Sequence, residues 1–154
     1  MGLVDALWGL SLLAGRAWAV GAEFLLSGPL NHWLRGISRG TPQPRYVLLT
    51  PHSYSRILAQ ALRIGGRSIE GPRDLRIVRG LLLHVDLRGY IVTLLEDPII
   101  EGSNGLVEVD VSAEARRADI VLVDNYAIRL APLSLEAEIW GLSEGDEREE
   151  SLEG

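Results

Sequence analysis

The first long stretch of the chain is almost entirely apolar, and it limits the available folds more than any other feature. Between Leu3 and Leu26 the only charged residues are Asp5, Arg16 and Glu23. At about 100° per residue, these charges share one narrow stripe of a helix and the remaining circumference is apolar. Such a helix has to be buried in protein or lipid. The sequence therefore predicts a long, covered N-terminal helix.

Three surroundings could cover this helix: the sheet of its own domain, a membrane, or other copies of the chain. A helix of this length rises about 36 Å and could cross a bilayer, although Arg16 near its centre would cost about 2.5 kcal/mol or more. The arginines that follow would place the rest of the chain on the cytoplasmic side, so we expect a cytoplasmic protein, with the inner face of a membrane as a peripheral location. The aromatic residues expected to contact a membrane or a second copy are Trp8, Trp18, Phe24 and Trp33.

Changes in composition along the chain predict four segments. Residues 1–37 form the apolar helical element, with a break at Ser27-Gly28-Pro29 and a short second helix after it. Residues 38–44 are rich in turn formers and predict a linker, and residues 45–142 form an α+β core. Residues 143–154 are strongly acidic and are predicted to be a disordered tail.

The core begins with a β-α unit. Arg45–Thr50 is a short apolar run typical of a buried strand, and Thr50 followed by Pro51 predicts a helix N-cap and first helical position. Apolar residues then recur with helical spacing up to Gly65-Gly66, where the helix is expected to end.

An antiparallel meander of about five or six strands is predicted to follow, which makes the fold class α+β. Arg88-Gly89, Asn104-Gly105 and Asp124-Asn125 are the expected turns between strands. Strand alternation at 106–112 and again at 133–139 predicts two of the later strands, although the second segment also contains residues that favour a helix.

Charge is distributed unevenly, and this pattern indicates a polar partner or self-association between unlike faces. Residues 45–95 contain eight Arg and three acidic residues, whereas residues 96–142 contain three Arg and ten acidic residues. The chain has no Cys and no Lys, which excludes thiolate chemistry, Schiff bases and a Walker-type phosphate loop. The candidate anion- or partner-binding residues form the densest basic stretch: Arg63, Arg67, Arg73, Arg76 and Arg79.

Two pairs of polar residues could form a metal site. His84 and Asp86 project from one face of a predicted strand, and Glu108 and Asp110 do so on another. If the two strands were neighbours, these side chains could converge on a divalent cation. Ordinary outward-facing polar alternation explains the same spacing.

Hydroxyl and imidazole groups cluster at the predicted start of the helix after the first core strand. His52, Ser53, Tyr54 and Ser55 lie at a position that suits an anion or an activated hydroxyl, and helix capping is the alternative explanation. Glu96-Asp97 before Pro98 predicts a turn that ends a strand.

Together these features favour a non-enzymatic assembly or adaptor protein without a cofactor. Its N-terminal helix would dock to a membrane or to other copies, and its charge-split core would bind a protein partner. An anionic membrane surface is a further candidate partner, nucleic acid is disfavoured by the net charge of −6, and no small-molecule substrate is indicated. The alternatives are a small metal-dependent hydrolase or nuclease using the carboxylate–His site, and a nucleic-acid binder using the arginines of 63–79.

Overall fold

The computed structural model describes residues 3–142, and the predicted acidic tail at 143–154 lies outside them. The protein has an α+β fold in which helices pack against one mixed sheet. The sheet order is β3-β4-β5-β2-β1-β8-β7, and β6 pairs with β5 beside this path. The helices are α1 (Leu3–Ala19), α2 (Gly28–Leu34), α3 (His52–Arg63), α4 (Val111–Ala115) and α5 (Leu133–Trp140). The strands are β1 (Leu25–Ser27), β2 (Arg45–Thr50), β3 (Arg67–Ser68), β4 (Ile77–Leu87), β5 (Tyr90–Gly102), β6 (Gly105–Glu108), β7 (Asp119–Val123) and β8 (Tyr126–Leu130).

Helix α1 is shorter than the predicted helix, because a glycine motif ends it at Ala19. Gly21 adopts a φ of 69°, a left-handed conformation that glycine adopts without steric cost. The Ala22 N–H then bonds to the Ala17 carbonyl and the Gly21 N–H to the Trp18 carbonyl, which is the Schellman pattern of helix ends. The chain leaves the helix here and returns as strand β1, so the prediction of one helix to Leu26 is wrong.

The core of its own domain is what covers α1. Ala6, Leu10, Leu13 and Ala17 are buried and belong to one apolar cluster with residues of the sheet and α3. The hydroxyl of the buried Tyr46 donates a hydrogen bond of 2.7 Å to the Ala6 carbonyl, which fixes α1 to β2. Among residues 3–142, no helix is long and apolar enough to cross a membrane.

The sheet is mixed, so the prediction of an antiparallel meander is wrong although the α+β class is confirmed. β2 and β5 run parallel, and so do β1 and β8. The reason is that β1, which comes from the N-terminal segment, inserts between β2 and β8. The β4–β5 hairpin also turns β5 back along the direction of β2.

The structure differs from the prediction at two of the later predicted strands. β6 stops at Glu108, because the Asp110 side chain accepts a hydrogen bond from the Ala113 N–H and caps α4. Residues 133–140 form helix α5 rather than a strand, and this helix turns Leu135, Glu136 and Ile139 inward.

The three turns predicted between strands are confirmed, whereas the predicted strand-ending turn at Glu96-Asp97 and the predicted helix cap are wrong. Asp124 and Asn125 both have positive φ, as a tight hairpin turn requires, and Arg88-Gly89 and Asn104-Gly105 also connect paired strands. Strand β5 continues through Glu96 and Asp97 to Gly102. Pro51 occupies the N-cap position of α3, so the N-cap residue supplies no side-chain hydrogen bond.

A bulge in β4 lets its backbone pack closely against the part of β5 around Glu96 and Asp97. The register between the two strands shifts around Gly80, whose φ is 105°. A Cβ atom at Gly80 would lie 2.6 Å from the Glu96 carbonyl oxygen and 2.8 Å from the Pro98 Cα. Only glycine therefore lets the β4 backbone approach the segment that holds Glu96 and Asp97.

Candidate active site where two parallel strands stop pairing

The carboxyl end of β2 lies beside the middle of β5, where the parallel pairing of the two strands stops, and this brings together residues that are distant in sequence. Thr50 pairs with Glu96 in the parallel register, so His52 and Asp97 follow side by side. In α/β sheets, ligands bind preferentially outside the carboxyl ends of the strands. This edge of the sheet is therefore a candidate active site.

His52 and Glu96 form an imidazole–carboxylate pair. The His52 Nδ1 lies 2.7 Å from the Glu96 Oε1. Because an ionised carboxylate only accepts hydrogen bonds, Nδ1 carries the proton and the Nε2 lone pair of the neutral ring faces outward. The His52 side chain is 89% exposed and that of Glu96 27% exposed. The ring is therefore held by Glu96 at Nδ1, and its other side is open to solvent. Such a pair is suited to proton transfer.

Glu96 remains ionised because its neighbours favour the charged form. The Ser55 hydroxyl donates a hydrogen bond of 2.6 Å to the Glu96 Oε1. This bond, followed by the bond from His52, holds the pKa of Glu96 below its usual value, and partial burial opposes the effect. Ser55, Glu96 and His52 therefore form one hydrogen-bonded unit with the negative charge behind the ring.

Asp97 fixes the backbone on both sides of this unit. Its Oδ2 accepts a hydrogen bond of 3.1 Å from the His52 N–H, and its Oδ1 accepts one of 2.9 Å from the Val111 N–H. Asp97 has a φ of 35°, which is strained for a residue other than glycine. The N-termini of α3 and α4 are thus hydrogen-bonded to Asp97 of β5.

A cavity of about 240 Å³ opens beside this unit, and we call it the α3–α4 cavity. Pro51 and Ser53, the neighbours of His52 in sequence, form part of its wall. The Arg129 guanidinium and the Glu23 carboxylate also line the cavity and form an ion pair of 2.8 Å. The other lining residues are Phe24, Leu25, Tyr54, Val111, Ser112 and Ala115.

The four predicted metal ligands do not come together. His84 pairs with Thr93 of β5, whereas Glu108 pairs with Ile99, six residues further along the same strand and so roughly 20 Å away. Asp86 accepts a hydrogen bond from the Gly89 N–H, and Asp110 caps α4. Within residues 3–142, no three His, Asp or Glu side chains form a group that could hold a cation.

The predicted arginine cluster spreads over exposed segments around β3 and β4. All five side chains are exposed, and three of them form ion pairs within the chain. Arg67 pairs with Asp86, Arg73 with Glu70 and Arg76 with Glu101, at distances of 3.6, 3.7 and 3.4 Å. Arg63 and Arg79 lie at the two ends of the stretch.

The four aromatic residues predicted to make membrane or oligomer contacts are found in different environments. Trp8 and Trp18 are 57% and 76% exposed on α1, and Trp8 stacks on Tyr90. Phe24 is buried in the core, and the Trp33 Nε1 donates a hydrogen bond to the Gly40 carbonyl. They do not form one surface.

A second polar cluster, centred on Glu136, is completely buried. The Glu136 carboxylate accepts hydrogen bonds from the Ser27 hydroxyl at 2.6 Å, the Gly28 N–H at 2.8 Å and the Asn31 amide at 2.7 Å, and it lies 3.1 Å from the His32 Nε2. These donors satisfy the carboxylate without access to water. The cluster binds α5 to the junction of β1 and α2.

Sequence analysis identified His52 and Ser55 but missed Glu96 and Glu136. Glu96 precedes Asp97-Pro98 and was predicted only as part of a turn. Its contact with His52 depends on the parallel pairing of β5 with β2, and the residues around Glu96 do not indicate that pairing. Glu136 lies in a segment predicted as a strand, where it would face outward. A prediction of residues 133–140 as a helix would have placed Glu136 beside Leu135 on the buried face and so identified it.

The sequence matches no protein-family model and no curated protein. Its structure is similar to the crystal structure of a protein from Thermotoga maritima described as a putative nucleotidyltransferase, with a TM-score of 0.66 and 14% sequence identity. The similarity covers 99% of this chain and 93% of the other. At this identity, the two proteins share a fold.

This comparison corrects the function predicted from the sequence. The prediction of a non-enzymatic assembly or adaptor protein depended on an N-terminal helix free to dock, and that helix is instead part of the core. The whole fold is one found in a protein described as an enzyme.

Nucleotidyl transfer is commonly assisted by divalent cations held by carboxylates. The residues at the point where β2 and β5 stop pairing do not fit that role. Both oxygens of Asp97 accept backbone hydrogen bonds, and the Glu96 Oε1 accepts bonds from Ser55 and His52.

Proposed function

We propose that the protein is an enzyme that transfers a nucleotidyl group to an acceptor hydroxyl, with His52 as its general base. The observation that carries this proposal is the exposed imidazole held by Glu96 at the point where the parallel pairing of β2 with β5 stops. The fold shared with a protein described as a putative nucleotidyltransferase supports the choice of reaction.

The proposed step uses the outward-facing Nε2 of His52. This nitrogen takes the proton of the acceptor hydroxyl, and the hydroxyl oxygen attacks the α-phosphorus of a nucleoside triphosphate. The bond between the α-phosphorus and the bridging oxygen breaks, and pyrophosphate leaves. Glu96 stabilises the imidazolium formed in this step, because its carboxylate lies 2.7 Å from the Nδ1.

The test is release of pyrophosphate from each of the four ribonucleoside triphosphates, with Mg²⁺ or Mn²⁺ in the reaction. We expect turnover by the protein and a fall of about 10²- to 10⁴-fold in His52→Gln, which removes the base but keeps a side chain of similar size. Glu96→Gln should lower turnover less, because the ring is retained without its charged partner.

His84→Gln is the matched control, because it removes an imidazole from β4 and leaves His52 and Glu96 unchanged. Turnover unaffected by His52→Gln would place the chemistry elsewhere. The absence of pyrophosphate release with all four nucleotides would contradict the proposed reaction itself.

A further inference from the structure

The wall of the α3–α4 cavity presents both signs of charge. The Arg129 side chain is 34% exposed and that of Glu23 56% exposed, and the two are in direct contact. An ion pair this open to water contributes little to stability, so a ligand can exchange with it at small cost. A simple anion that bound Arg129 would leave Glu23 beside it, which is unfavourable. A ligand with one group of each sign could pair with both side chains.

Part of the cavity lining is apolar. Phe24, Leu25 and Val111 are buried residues of the core, and Ala115 belongs to the same lining. Transfer of an aliphatic group from water to such a surface is favourable, at about 0.8 kcal/mol for each buried CH₂ group.

Two hydroxyl groups of the cavity lining are available to a ligand. Ser53 and Ser112 line the cavity, and neither side chain has a hydrogen-bond partner among residues 3–142. They can therefore bond to a ligand without losing a bond within the protein.

We propose that the α3–α4 cavity binds a small zwitterion with an aliphatic side chain, which is the chemistry of an apolar α-amino acid. Its carboxylate pairs with Arg129, its ammonium group pairs with Glu23, and its side chain lies against Phe24 and Val111. This inference concerns binding alone and goes beyond the proposed reaction, so it holds whether or not a nucleotide is turned over.

The test compares three molecules that share the isobutyl group of leucine. L-leucine has both charges, 3-methylbutylamine lacks the carboxylate, and 4-methylpentanoate lacks the ammonium group. Titration of the full chain, followed by the amide NMR signals of Ser53 and Ser112, should show leucine binding at least tenfold more tightly than either analogue. Equal binding of 4-methylpentanoate would identify a simple anion site, and no response to any of the three at millimolar concentration would leave the cavity without this role. Either result overturns the proposal.

Two charge-removing variants test the orientation of the ligand. Arg129→Gln should weaken leucine binding at least tenfold without weakening binding of the amine, whereas Glu23→Gln should weaken leucine binding without weakening binding of the acid. Arg116→Gln, on exposed surface in the segment after α4, is the matched control and should change neither. If both cavity variants bind leucine as the unaltered protein does, the ion pair is not the binding site. Nucleotide turnover is measured separately, so failure of one proposal is distinguishable from failure of the other.

Discussion

Glu96 shows how one side chain joins two segments that the sequence keeps apart. It accepts hydrogen bonds from His52 and Ser55, which lie more than 40 residues earlier in the chain. The low pKa of Glu96 means that the folded state binds its proton less readily than the unfolded state does. Its contribution to stability is therefore fully present above the unfolded pKa of about 4.5 and is lost as the pH falls through the lower folded pKa.

Glu96→Gln should lower the free energy of unfolding by about 1 kcal/mol at pH 7, because it removes the charge that strengthens two hydrogen bonds. The difference from the unaltered protein should shrink as the pH falls below 4.5 and through the lowered folded pKa, where Glu96 itself becomes protonated. Urea denaturation at pH 7 and at an acidic pH measures this. Glu108→Gln is the control on an exposed position and should change stability by less than about 0.5 kcal/mol at either pH. A Glu96→Gln effect that does not depend on pH would show that the charge is unimportant.

At the scale of the element, α1 depends on a glycine where its surface meets β2 and β5. A Cβ atom at Gly9 would lie 2.1 Å from the Tyr46 hydroxyl oxygen and 2.6 Å from a ring carbon of Tyr90. At Gly15 the nearest atom is the Tyr126 hydroxyl oxygen at 3.0 Å, the far end of a side chain that can move. Substitution by alanine should therefore lower the stability of the protein at Gly9 but not at Gly15.

Gly9→Ala should destabilise the protein by about 1–3 kcal/mol, because overpacking outweighs the gain in helix propensity. Gly15→Ala should be neutral or stabilising by up to about 1 kcal/mol. Thermal unfolding followed by circular dichroism compares the two. If the two variants are equally stable, the close contact between α1 and Tyr46 is not as described.

Local signals in the sequence were sufficient for part of this architecture. The turns at Arg88-Gly89 and Asp124-Asn125 follow from residues that tolerate positive φ, and helix α3 follows from apolar spacing. The parallel pairing of β2 with β5 could not be predicted, because it depends on which strand inserts where in the sheet. Helix α5 was predicted as a strand because its apolar spacing fits both periods over so few residues.

The whole sheet is built around a strand from the N-terminal segment. β1 lies between β2 and β8, and among residues 3–142 the β7–β8 hairpin pairs with the other strands of the sheet through β1 alone. Loss of β1 would detach the β7–β8 hairpin and expose the apolar surface that α1 covers. The candidate active site would be affected too, since Glu23 and Phe24 precede β1 and line the α3–α4 cavity.

A chain that begins at Thr41 should therefore fail to fold cooperatively, although residues 38–44 were predicted to be a linker between separate parts. Calorimetry and dispersion of the NMR spectrum measure this. Addition of a peptide of residues 1–40 is the control and should restore a cooperative transition. A shortened chain that melts sharply without the peptide would show that residues 45–142 fold on their own.

Glu136 also determines when the protein can finish folding during its synthesis. Its hydrogen-bond donor Ser27 precedes it by 109 residues, and Gly28, Asn31 and His32 lie nearly as far away. While the ribosome has not yet released α5, these donors have no carboxylate to bind, and β1 also lacks its neighbour β8. The N-terminal segment therefore cannot complete its packing until nearly all of residues 3–142 have emerged from the ribosome. Until then the apolar surface of α1 is uncovered. Such a chain depends on rapid completion of translation, or on a chaperone that shields α1 in the meantime.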